Sequence, residues 1–165
     1  GRIARSPRLR HPRLMRAFRI ADRRHPIFDG AGAKLTGGRW NSPGRPVIYA
    51  AETFAGALLE VLVHANLGRV PPTHAVIEVA IPGSVLIETV RPEAIPGWDA
   101  PDQIASREFG DRWLQGLRSG VLLVPSFVVR GREQNVLINP EHHDFGQITA
   151  SEPEDLLWDE RLFRR

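Results

Sequence analysis

Residues 22 to 46 lie between two apolar runs and carry glycines at 30, 32, 37, 38 and 44, with neither a helical nor a strand period. A structureless connection of that length is unusual in a compact domain, where such loops are functional or disordered. Its second half runs into "GGRWNSPGRPVIYAAE" (37–52): Arg39 and Trp40, an Asn-Ser-Pro-Gly turn, then a short apolar strand holding Tyr49, the only tyrosine in the chain. Glycines let a backbone approach a ligand closely. The planar fork of arginine suits phosphate oxygens. A surface flap packed down by Trp40 is the plainer alternative.

Around this loop the pattern is strand-rich. "RLMRAFRI" (13–20), "PVIYAA" (46–51), "THAVIEVAI" (73–81), "VLIETV" (85–90), "GVLLVPSFVV" (120–129, bent at Pro125), "QNVLINP" (134–140) and "FGQITA" (145–150) read as strands. "TFAGALLEVLVHAN" (53–66) reads as a helix with Thr53 as N-cap. A second helix starts after Asp102 and runs to about Leu117, and the tail "PEDLLWDERLF" suggests a short third. Strands outnumber helices and do not alternate regularly with them, which predicts a mixed α+β fold rather than a doubly wound one. The 165 residues, 42% hydrophobic and 25% charged, suit one domain with a real core over 1–165.

Charge is unevenly placed. Residues 1–24 hold nine arginines and one acid, while the remainder holds thirteen basic against eighteen acidic residues. A basic arm admits a nucleic-acid-binding module as a competing class. The arm has no interleaved aromatics for base stacking and no helix-turn-helix or finger spacing. The absence of cysteine excludes disulfide and thiolate chemistry. No apolar run is long enough to span a membrane and no secretory signal is visible, so a cytoplasmic protein is expected.

Several familiar motifs fail on inspection. "GAGAKLTGGR" (30–39) has Leu35 where a dinucleotide fingerprint needs its third glycine, and Gly38 where a P-loop needs lysine. His142 and His143 are adjacent on a turn, with no acid or histidine seen to complete a ligand set, so no metal is expected. Ser126 lacks the flanking glycines of a nucleophile elbow.

Glu60 stands out. It sits mid-helix in "ALLEVLVH", with aliphatic residues at 58, 59, 61 and 62. A helix apolar nearly all round is expected to be buried, and a buried carboxylate is costly unless paired. Such acids gather at functional sites, though a salt bridge to one of the arginines, or a place at an exposed rim, would also satisfy it. Arg19, Arg39, Tyr49 and Glu60 together make two phosphate forks, a flat ring and a carboxylate. That set would suit a ligand with a pyrophosphate, a flat base and a sugar that departs with positive charge, such as NAD.

On "FRI" (18–20), the 37–52 block, "ALLEVLVH" (57–64), "VLLVPS" (121–126) and "NVLINPEHHDF" (135–145), the chain resembles the RES domain family, the toxins of bacterial Xre–RES toxin–antitoxin pairs. The likeness spans about Leu14 to Ile148, which leaves residues 1–13 as a basic extension and 14–150 as the core. It implies a fold like that of ADP-ribosyltransferases, with two small sheets around an NAD cleft. It implies NAD as co-substrate without a metal, and a cognate Xre-type antitoxin covering the active site. The implied activity is transfer of ADP-ribose to an acceptor, most simply a cytoplasmic protein; NAD phosphorolysis or hydrolysis is the alternative. Matching the motifs residue by residue gives Glu60, Arg39 and Tyr49 catalytic roles, and Arg19, Arg39, Tyr49, Ser126 and Asn135 roles in holding NAD.

Overall fold

The computed structural model describes residues 14–64 and 71–164. The basic extension over 1–13 therefore lies outside the described residues. Among the described residues eight strands form one sheet: β1 (Met15–Asp22), β2 (Ile48–Ala51), β3 (His74–Ile81), β4 (Ile87–Thr89), β5 (Val121–Pro125), β6 (Gln134–Ile138), β7 (Thr149–Ala150) and β8 (Glu154–Asp155). The order is β4-β5-β6-β2-β1-β3-β7, with β8 also on β3. Among the described residues three α-helices accompany them: α1 (Ala31–Thr36), α2 (Phe54–His64) and α3 (Ile104–Gly116).

The α+β class read from the sequence is what the structure shows. The two expected small sheets are hydrogen-bonded into one, joined at a narrow seam. β1 pairs with β3 along its whole length, from Met15↔Ile81 to Asp22↔His74. β2 pairs with β6 from Ile48↔Ile138 to Ala51↔Asn135. β1 and β2 meet only at Phe18↔Ala51. Across the opening the Arg19 side chain supplies what the missing ladder does not: its Nη1 donates to the Tyr49 carbonyl (2.8 Å) and its Nε to the Ile27 carbonyl (2.7 Å).

Each half follows from its residues. On β3, "HAVIEVAI", Ala75, Ile77, Val79 and Ile81 alternate inward to one core. β5 and the Val136–Ile138 end of β6 are apolar on both faces, because both faces are covered there. Val136 and Ile138 enter the first core, while Leu122, Val124 and Leu137 pack under α3 with Trp40, Trp98 and Trp113. β4 and β5 are parallel, which requires a crossover, and α3 supplies it.

Four expectations change. The 22–46 segment contains a short helix, α1, started by Asp29 Oδ1 accepting from the Ala31 N–H and tied at its end by the Gly37 N–H to Ala33. The strand expected over 120–129 ends at Pro125, where residues 126–131 turn, with Arg130 at a positive φ of 56°. Residues 143–147 form a 3-10 turn ahead of β7 rather than strand, since the His142 ring caps it by accepting from the Asp144 N–H. The C-terminal segment contributes β8 and a 3-10 turn (Glu160–Phe163) instead of a helix, Glu154 and Asp155 being drawn to the free edge of β3.

Candidate active site

The seam opens onto a cavity of about 830 Å³, within the size range of ligand sites, whose lining includes Arg19, Arg39, Tyr49, Glu60 and Asn135. Five of the six residues singled out in the sequence thus line one space. The sixth, Ser126, is only 4% exposed and bonds to Glu60.

The glycine-rich loop is built around Trp40, which is 2% exposed, stacked on Trp98 at 6.3 Å and edge-on to Phe109. α3 presses against it so closely that a Cβ on Gly110 would lie 1.6 Å from the Trp40 carbonyl oxygen. Further along, α3 fastens the loop by hydrogen bonds. Ser106 Oγ donates to the Arg39 carbonyl (2.6 Å) and Arg107 Nε to the Gly38 carbonyl (2.8 Å). Asp111 accepts from the Ser42 N–H and hydroxyl. Asn41 is fully buried and donates to the Ala33 and Ser42 carbonyls. The tight Asn-Ser-Pro-Gly turn is therefore held from both sides.

Tyr49 completes this loop. Its hydroxyl accepts from the Trp40 N–H (3.1 Å) and donates to Asn41 Oδ1 (2.7 Å). Gly38 has to lack a side chain, since a Cβ there would come within 2.7 Å of the Tyr49 oxygen. Burial pushes the phenol well above its ordinary value, so it stays a neutral donor. The hydroxyl is structural, and Tyr49 is among the residues that line the cavity.

The guanidinium of Arg39 lies 4.0 Å over the ring of Phe127 and donates to the Trp98 and Ala100 carbonyls, both at 3.3 Å. Burial lowers the affinity of both Arg39 and Arg19 for a proton, while Asp99 and Asp29 oppose this through charge. The hydrogen bonds of both arginines go to neutral carbonyls. Among the described residues, positive charge at the cleft is oriented but not cancelled by a bonded carboxylate, which leaves it free to attract an anion.

Glu60 is corrected in one respect. α2 is not buried all round: Ala57 and Val61 point into the core beside Ile20 and Ala51, while Leu59 and Val63 are exposed. The Glu60 side chain is 25% exposed, at the edge of the cavity rather than inside the core. Its carboxylate is nonetheless well held. Oε1 accepts from Asn135 Nδ2 (3.0 Å) and Ser126 Oγ (3.4 Å), and Oε2 contacts His64 Nε2 at 3.2 Å. Burial pushes its proton affinity up; the hydrogen bonds from His64, Asn135 and Ser126 and the His64 charge outweigh that and leave it below its ordinary value. Glu60 is thus an ionised, oriented carboxylate.

His64 and Phe127 were missed as site residues. The i, i+4 spacing of Glu60 and His64 was the available signal for the first. The second, directly after Ser126, gave none, because its contact with Arg39 spans 88 positions of sequence. The His142–His143 pair also needs correction, since Asp144 is beside it and the three offer ligand atoms within 4.8 Å. His142 Nδ1 is occupied by the Asp144 N–H, so the cluster is organised as a turn cap.

The RES domain model matches residues 13–159. The chain is 44% identical over 142 residues to the Prs ADP-ribosylating toxin of Sphingobium sp. strain YBL2, covering 84% of this chain and 88% of that one. It is 36% identical over 138 residues to Toxin Res of Pseudomonas putida, covering 82% and 92%. In fold it is similar to the M. tuberculosis MbcT–MbcA toxin–antitoxin complex structure, with a TM-score of 0.68 over 88% of this chain and 85% of that one at 20% identity. The chain belongs to the RES domain family.

Proposed function

We propose that this protein is the toxin of a toxin–antitoxin pair, and that it breaks the nicotinamide–ribose bond of NAD and transfers ADP-ribose to an acceptor protein. One observation carries the reading: two guanidiniums held by carbonyls line the same cavity as an ionised carboxylate fixed from both oxygens. The first pair suits a pyrophosphate, the second a sugar carbon that becomes positive.

In this scheme Arg19 and Arg39 anchor the pyrophosphate, so that remote binding energy orients the reacting bond. The Tyr49 ring packs against nicotinamide, and Asn135 and Ser126 hold Glu60. The C–N bond breaks with its electron pair leaving on nicotinamide, and the ribose takes on oxocarbenium character, as in glycoside cleavage. Glu60 stabilises that charge or holds a ribose hydroxyl. The acceptor's nucleophile then bonds to the same carbon and gives its proton to Glu60 or to solvent.

A protein acceptor is favoured by the likeness to the Sphingobium toxin, whose name makes Prs its target. The fold shared with the M. tuberculosis toxin–antitoxin complex supports a cognate antitoxin; in our reading that antitoxin is of Xre type and covers the cleft. No helix among the described residues is long and apolar enough to cross a membrane. We place the protein in the cytoplasm, where NAD and such a partner are found.

The test is incubation of the purified chain with ADP-ribose-labelled NAD, Prs protein and, separately, phosphate. Nicotinamide release with label on protein is expected. Label on a small molecule would replace transfer by phosphorolysis or hydrolysis, and no nicotinamide release would overturn the NAD reading. Glu60→Gln should keep its thermal midpoint within a few degrees and lose on the order of 10²- to 10³-fold in turnover, the scale of one lost electrostatic stabiliser. Undiminished release by that variant would remove Glu60 from the mechanism.

A further inference from the structure

The two oxygens of Glu60 are held by different parts of the molecule. Oε1 is held from the sheet, by Asn135 on β6 and by Ser126 just after β5. Among the described residues the hydrogen bond on Oε2 comes from His64, one turn further along α2. The terminal torsion of a glutamate is soft, so a carboxylate held at one oxygen still swivels. A donor on the other oxygen removes that freedom. His64 lines the same cavity, and its side chain is 76% exposed, so the ring is held by this contact rather than by packing.

We infer that His64 is a positioning residue for Glu60, fixing Oε2 so that the carboxylate stays ionised and aimed at the cavity. The pairing stands on geometry alone; its catalytic consequence rests on the NAD reading above. Among the described residues, the charged groups that face His64 are Glu60, on its own helix, and Arg39, from the glycine-rich loop. The hydrogen bond to Glu60 raises the affinity of the ring for a proton; burial and the Arg39 charge oppose it without cancelling it. The reciprocal effect on Glu60 is the downward pull already described. Linkage requires the two to move together: removing either must shift the other.

The experiment is an NMR titration of the full chain, following the Glu60 side-chain carboxyl carbon and the His64 ring nitrogens in the wild type and in His64→Ala, His64→Gln and Glu60→Gln. In His64→Ala the Glu60 midpoint should rise, and in Glu60→Gln the His64 midpoint should fall. His64→Gln, which keeps an N–H donor on a similar reach without the charge, should fall between wild type and alanine. An unmoved Glu60 midpoint in His64→Ala overturns the inference without involving NAD. In turnover, His64→Ala should lose about tenfold in kcat, the scale of one hydrogen bond to a charged group, with little change in KM. Its acid limb should move to higher pH, and His64→Gln should recover most of the rate. A His64→Ala enzyme with wild-type kcat and an unshifted acid limb also overturns it. A wild type that shows the coupled titration yet releases no nicotinamide fails the NAD reading and leaves the positioning of Glu60 supported.

Discussion

The loop over residues 37–42 and the helix α2 both line the cleft, yet they are anchored in different ways. The loop is bonded to α3 through Ser106, Arg107 and Asp111, stacked through Trp40 on Trp98, and closed by the Tyr49 hydroxyl. α2 rests on the sheet through Ala57 and Val61 and leaves Leu59 and Val63 in solvent. Its site residue is positioned by hydrogen bonds across to Asn135 and Ser126 and along to His64, not by enclosure. One element presents its cation on a rigid frame. The other presents its carboxylate through a small polar network. Damage to the first should therefore appear as lost stability, and damage to the second as lost activity.

Gly110→Ala should break the contrast most severely on the loop side. The added carbon would lie 1.6 Å from the Trp40 carbonyl oxygen, and that atom is backbone, so α3 and the loop must part. A loss of more than about 4 kcal/mol is expected, the range of severe overpacking. Denaturant melting would show it, and a midpoint within a few degrees of wild type would mean that the loop is far softer than its contacts indicate.

Tyr49→Phe comes next. It keeps the ring but leaves the Trp40 N–H and Asn41 Oδ1 without their partner. The expected cost is about 1–3 kcal/mol. If the hydroxyl served chemistry alone, stability would be unchanged while turnover fell, which would reverse the assignment made here.

Arg39→Lys tests the frame from inside. Lysine keeps the charge but cannot cover the Phe127 ring while reaching the Trp98 and Ala100 carbonyls. NAD binding should weaken by about tenfold, and Arg39→Ala should weaken it further, as read by calorimetry. Equal affinities for the two variants would argue against a pyrophosphate contact at Arg39.

How much of this was written legibly in the chain depends on whether the cause was local. The β3 alternation, the Thr53 cap on α2, where Oγ1 accepts from the Gly56 N–H, and the turn at Asp102 that starts α3 all act within a few residues and were readable. The burial of α2 was misread, because aliphatic residues at 58, 59, 61 and 62 say nothing of how much of the helix the sheet will cover. The glycine-rich loop was recognised as special, but its reason lay some 70 positions away, in Gly110 and Asp111. The arginine excess over 1–24 was read as an arm, whereas within it Arg16, Arg23 and Arg24 pair with Glu78, Asp155 and Asp22, and Arg19 bridges the seam. Charge counts cannot separate a tail from a strand whose partners lie on β3 and β8.

The smallest expected effect lies on α2 and has a defined sign. Glu60 is held below its ordinary value near 4.5, so its share of stability is present above that pH and is lost as pH falls through the depressed midpoint. His64 is raised above 6.5, so its share is present below that pH and is lost as pH rises through the raised midpoint. The coupling between them, read from a double-mutant cycle of Glu60→Gln and His64→Ala, should peak between about pH 4.5 and 6.5 and shrink on both sides. With His64 mostly in solvent its size should stay below about 1 kcal/mol. A coupling at Glu60 and His64 that is flat from pH 4 to 8 would mean that the two groups share no proton-linked contact, and α2 would then hold its carboxylate through Asn135 and Ser126 alone.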